Sequence, residues 1–121
     1  MQMPSRNPAA AYRRVALEAR IEASTGADLT RVCLEEALIA LGQAHGGVMR
    51  GSLSVREPLV RAQTIMLWLA RSVAVGHPLA ESLRAFYGGL ASQIGANLQH
   101  ADPDAITAIR NDISDILEAA G

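Results

Sequence analysis

The sequence predicts an all-α fold, and three observations carry that prediction. Apolar residues recur at 3–4 spacing in five successive segments. Capping boxes or a cap residue followed by proline open those segments, and no segment alternates with period 2 between hairpin turns. Composition agrees: of 121 residues, 22 are alanine and 14 leucine, and half of the chain is apolar while only 3 % is aromatic. A chain of this length supports one hydrophobic core, so residues 8–121 are expected to form a single domain behind a flexible terminus over 1–7. Connections of a few residues favour antiparallel neighbours, which predicts an antiparallel four-helix bundle with an additional short N-terminal helix.

The first segment opens at Asn7-Pro8, a cap residue with proline in the first helical position, where its missing N–H is no loss. Tyr12, Val15, Ala16 and Ala19 form its weakly apolar stripe, and Ser24-Thr25-Gly26 ends it. Thr25 with Asp28 then makes an imperfect capping box for a long second helix, whose face carries Leu34, Leu38, Leu41 and Val48 as far as Arg50-Gly51. Ser54 and Glu57 form a full capping box for the third helix, with a stripe of Leu59, Ala62, Ile65/Met66, Leu69 and Val73 and a C-cap at Gly76. His77-Pro78 is expected to start the fourth helix with proline in the first position, and Leu79, Leu83, Phe86, Leu90, Ile94 and Leu98 follow at helical spacing. Asp102-Pro103-Asp104 opens the fifth, with Ile106, Ile109, Ile113, Ile116 and Leu117 along one side.

Composition also excludes functions. Eleven arginines and no lysine against twelve acids leave a formal charge of −1, without the basic excess that nucleic-acid binding relies on. Residues 1–75 carry +3 and residues 76–121 carry −4, which reads as solvated faces or as an acidic patch for a basic partner. The longest apolar run, Ile65–Ala70, is far shorter than a membrane-spanning helix, so membrane insertion is not expected. A lone cysteine, Cys33, and no secretory leader point to a reducing, cytoplasmic setting.

Candidate chemistry is sparse. His45, His77 and His100 stand apart, with no second His or Cys at i+3 or i+4, so neither a metal nor another cofactor is expected. Cys33 has no nearby histidine and reads as a small buried hydrophobe, and Glu35 and Glu36, adjacent on a helix, point about 100° apart and cannot share a proton. The chain is therefore not expected to be an enzyme. Gly88-Gly89 beside Phe86-Tyr87 reads either as close helix packing or as a shallow groove for a partner's helix.

Ala11-Tyr12, Thr25-Gly-Ala-Asp-Leu29, Cys33-Leu-Glu-Glu-Ala37, Ala44, Leu83-Arg-Ala-Phe-Tyr87, Ala96-Asn97 and Asp102, in that order, resemble the flagellar secretion chaperone family, FliS, over nearly the whole chain. Leu34 stands where the family has an aromatic residue, Glu36 where it has glycine, and the connection at 74–78 is shorter than is usual there. The resemblance implies a helical bundle that binds the disordered C-terminal segment of flagellin, blocks premature polymerisation and delivers it to the export apparatus, as a monomer or weak homodimer. The altered Cys33–Ala37 motif favours a second role, a regulatory or adaptor protein that binds a flagellar regulator or co-chaperone. Partner contacts are expected at Leu34, Leu38 and Leu41, at Ile65 and Leu69, and at Leu83, Tyr87, Leu90, Ile94 and Asn97, unless these apolar residues are internal core. Tyr12 is expected either to plug a groove until a partner displaces it or to anchor the terminal helix.

Overall fold

A computed structural model describes residues 27–120, and these residues form four α-helices and no strand. They are α1 (Ala27–Met49), α2 (Arg56–Ser72), α3 (Ala80–Gln99) and α4 (Pro103–Ala120). The first expected helix, with Tyr12, and the Thr25 cap lie outside the described residues. The chain divides into two compact units, residues 1–32 and residues 33–121. The described part of the first is the opening of α1.

Each helix end follows from local chemistry. At the end of α1, the Gly51 N–H donates to the Val48 carbonyl and the Ser52 N–H to the Gly47 carbonyl, the paired bonds of a Schellman motif. Gly51 sits at φ +75°, a conformation that a side chain would strain. The start of α2 departs from expectation. Its N-cap is Val55, not Ser54, and no side chain caps it. A helix capped at Ser54 would need the N–H of residue 58 for its first carbonyl, and residue 58 is proline. The first backbone bond is therefore Leu59 N–H to the Val55 carbonyl, one residue later, and the Ser54 N–H turns to the Ser52 hydroxyl.

The connection to α3 also differs. α2 stops at Ser72, and Gly76 is not its C-cap: it lies at φ +89° in a turn closed by His77 N–H to the Ala74 carbonyl. Pro78 is likewise not the first helical residue. It occupies the second position of a following turn, closed by Ala80 N–H to the His77 carbonyl, and the Leu79 N–H donates to His77 Nδ1 at 3.0 Å. Helix α3 thus begins at Ala80, two residues later than the proline suggests. The start of α4 is as expected: the Asp102 carboxylate accepts the Asp104 N–H at 3.0 Å, its carbonyl accepts the Ile106 N–H, and Pro103 stands first.

Helix α2 packs against α3, and α3 against α4. Gln63 on α2 donates to the Ala91 carbonyl of α3 at 3.3 Å. Helix α1 reaches α2 through Arg61, which donates to Gln43, and reaches α4 where the Arg110 guanidinium lies 3.6 Å from the position a Cβ on Gly42 would take. The core is aliphatic: Leu34, Leu41, Leu59, Met66, Leu90, Ile94, Ile106, Ile109 and Ile113 are its largest fully buried side chains. Between them sit Ala37, Ala40, Ala44 and Ala62, each fully enclosed. No helix among the described residues is long and apolar enough to cross a membrane.

Candidate partner-binding surface

The expected contact residues fall mostly inside. Leu34 and Leu41 on α1, Leu69 on α2, and Tyr87, Leu90 and Ile94 on α3 are buried, while Leu38, Ile65 and Leu83 are half-buried. Tyr12 lies outside the described residues. The same side chains that mark the helical stripes therefore build the fold, because the stripe of an amphipathic helix turns toward the nearest apolar face.

Asn97 is the buried polar exception among the described residues, at 5 % exposure. Its Nδ2 donates to the Gln93 carbonyl at 2.9 Å and its Oδ1 accepts the Asp102 N–H at 2.8 Å. Both ends of the amide are used within the fold, where they tie the last turns of α3 to the residue that caps α4. Tyr87 packs edge-on to Phe86, with ring centroids 5.6 Å apart, and burial raises its hydroxyl above the ordinary value of 10.0.

Among the described residues, the candidate catalytic groups do not converge. Cys33 is buried, and desolvation, with the Glu36 charge added, raises its thiol above the ordinary value of 9.0 and disfavours the reactive thiolate. His45 is half-buried, His77 and His100 are exposed, and among the described residues no three His, Cys, Asp or Glu side chains group as metal ligands.

Gly88 and Gly89 differ from Gly47, near the end of α1. A Cβ at Gly47 would stand 2.7 Å from Val55 Cγ1, so that glycine is required by packing. A Cβ at Gly88 or Gly89 would meet nothing within 4 Å. Among the described residues, close packing does not explain the pair, which leaves bare backbone on an open side of α3.

The surface signal that the stripe pattern concealed is on α2. Its inward residues are Leu59, Ala62, Met66 and Leu69. Turned away from them, at i, i+7 and i+8, are Val60, Leu67 and Trp68, which are 37 %, 45 % and 40 % exposed. A helix that folds by one apolar face has no need of a second. The outer face begins at a cleft of about 500 Å³ lined by Ser54, Arg56, Glu57, Val60 and Arg61. Glu57 pairs with Arg61 at 2.9 Å, whereas Arg56 and Arg71 are exposed and make no ion pair among the described residues. Comparison of the chain with protein-family models, curated proteins and solved structures gives no match.

Proposed function

We propose that this chain is a secretion chaperone of the flagellar type. In this reading its helices form an antiparallel four-helix bundle, with the N-terminal segment as an additional helix. It binds the disordered C-terminal segment of flagellin in the cytoplasm, blocks its premature polymerisation and delivers it to the export apparatus. No catalytic group is required for that work. The resemblance in the order of Cys33–Ala37, Leu83–Tyr87, Ala96-Asn97 and Asp102 suggests the family. The observation that carries the reading is the apolar outer face of α2, surface beyond what this small fold uses for itself.

A disordered segment that folds onto such a surface gives up conformational entropy as it binds, which keeps the complex releasable. Because Leu34, Leu41, Leu90 and Ile94 are enclosed, the contact surface in this reading consists of outward residues, with Val60, Leu67 and Trp68 at its centre. Calorimetric titration of the full chain with a flagellin C-terminal peptide tests it. Saturable binding supports the reading. No heat with that peptide, together with capture of a purified flagellar regulator, would replace the chaperone with the adaptor role.

A further inference from the structure

We propose that the outer face of α2 is a docking site for an amphipathic helix of another protein whose apolar stripe is edged by acidic residues. The inference rests on the reading of the chain as a binder of protein segments, and not on flagellin being the segment bound. Val60, Leu67 and Trp68 span somewhat more than two turns, about 12 Å at 1.5 Å per residue, which matches the apolar stripe of a short helix. The open depression at the N-terminal end of the face, lined by Ser54, Arg56, Glu57, Val60 and Arg61, lies where the first turn of that helix would rest.

Charge decides what the occupant is. Arg56 and Arg71 flank the apolar residues at either end without an ion pair among the described residues, and the nearby Glu57 carboxylate is taken by Arg61. Acidic edges on the incoming helix would complete both. The chain's own N-terminal segment is a poor occupant, since Arg6, Arg13, Arg14 and Arg20 outnumber Glu18 and Glu22 and would meet like charge. A second copy is also a poor one. Its acidic outer face, on α4, presents Asp104, Thr107, Asn111, Asp112 and Asp115 and no large apolar side chain. Pairing α2 with α2 would set the Arg56 and Arg71 side chains of one copy against those of the other, like charge meeting like charge.

Trp68 is the single tryptophan of the chain, so its emission reads occupancy of this face directly. The probe is a synthetic amphipathic helix of about fifteen residues, long enough to hold a helix, with leucines on one side and glutamates along their edges. A second peptide carries lysines in place of the glutamates. The expected result is a saturable blue shift of Trp68 with the glutamate peptide and none with the lysine peptide. Leu67→Glu, or Val60→Glu if the first variant loses its helical circular dichroism, abolishes the shift. Arg56→Glu combined with Arg71→Glu weakens binding about tenfold, as two reversed edge charges predict.

No shift with the glutamate peptide, or equal shifts with both peptides, overturns the inference. So does a blue shift that grows with protein concentration alone and accompanies a dimer in sedimentation, which would assign the face to a second copy. A flagellin segment that binds Leu67→Glu as tightly as the native chain, while the glutamate peptide fails, removes this inference and moves the flagellin contact off the outer face of α2, leaving flagellin binding itself standing. The opposite pair of results removes flagellin and leaves the docking face.

Discussion

Replacing Asn97 with alanine separates α3 from the cap of α4, and its effect can be worked from two hydrogen bonds. The side chain is 5 % exposed, donates to Gln93 at 2.9 Å and accepts from the Asp102 N–H at 2.8 Å. Losing the donated bond is worth about 1 kcal/mol, and leaving a part-buried N–H without its acceptor about 1–2 kcal/mol more. Alanine returns roughly 0.5 kcal/mol through its higher helix propensity. The expected net loss is about 2 kcal/mol, a fall in Tm on the order of 10 °C for a domain of this size. Urea denaturation followed by circular dichroism measures it, with Gln99→Ala, an exposed site in the same turn, as the control. Asn97→Asp keeps the acceptor for Asp102 and should fall between the two. If Asn97→Ala lies within about 0.5 kcal/mol of the native chain, beside Gln99→Ala, the amide is not the tie described, and the site is again open to a role in partner contact.

Three further outcomes follow from the same geometry. Gly88→Ala and Gly89→Ala each place a methyl in open space within a helix and should each stabilise the chain by about 1 kcal/mol; a loss in thermal melts would mean that something unseen approaches the bare backbone. Ser54→Ala should change stability by less than about 0.5 kcal/mol because Ser54 caps nothing, whereas Asp102→Ala should lose about 1 kcal/mol, and equal losses in denaturant titrations would restore the Ser54 cap. Both Cys33 and Tyr87 are raised in the folded chain from ordinary values of 9.0 and 10.0, so the unfolded chain releases these protons first. That stability is fully present below about pH 9 and is lost as pH rises through the folded values. With no lysine in the chain to titrate alongside, the double variant Cys33→Val, Tyr87→Phe should flatten the decline in urea stability between about pH 9 and 11, and an unchanged slope would count against it.

Much of the described fold is legible in the sequence where one signal acts alone. Asp102-Pro103 opens α4 as expected, because a carboxylate acceptor and a proline that needs no donor agree on one residue. Ser54–Glu57 looks equally clear, yet Pro58 lacks the N–H that the Ser54 carbonyl would need for the first helical bond, and this conflict shifts the start of α2 by one residue. At His77-Pro78 the proline suits the second position of a turn as well as the first of a helix, and the histidine ring, accepting the Leu79 N–H, favours the turn. The candidate surface was harder to read. Val60, Leu67 and Trp68 have helical spacing in plain view, but the stronger inward stripe of Leu59, Met66 and Leu69 occupies the same residues' neighbours and masks it. Asn97 stands out only by resemblance, since nothing in its local sequence shows that its amide reaches Asp102 five residues on.

The four enclosed alanines at 37, 40, 44 and 62 give the molecule an asymmetric tolerance to change. Trimming a Leu or Ile core leaves a void, but alanine has little to trim: glycine in its place costs about 1 kcal/mol in helix propensity. Enlargement is different, because each added methylene has to push whole helices apart, at about 1–3 kcal/mol per site. Alanine also loses no side-chain rotamers on folding, so these positions bring the helices close without an entropic penalty of their own. Drift at these four sites is therefore one-sided, bounded from above by volume. New apolar bulk can accumulate only outward, on faces such as that of α2, where it changes what the protein touches and leaves how it folds intact.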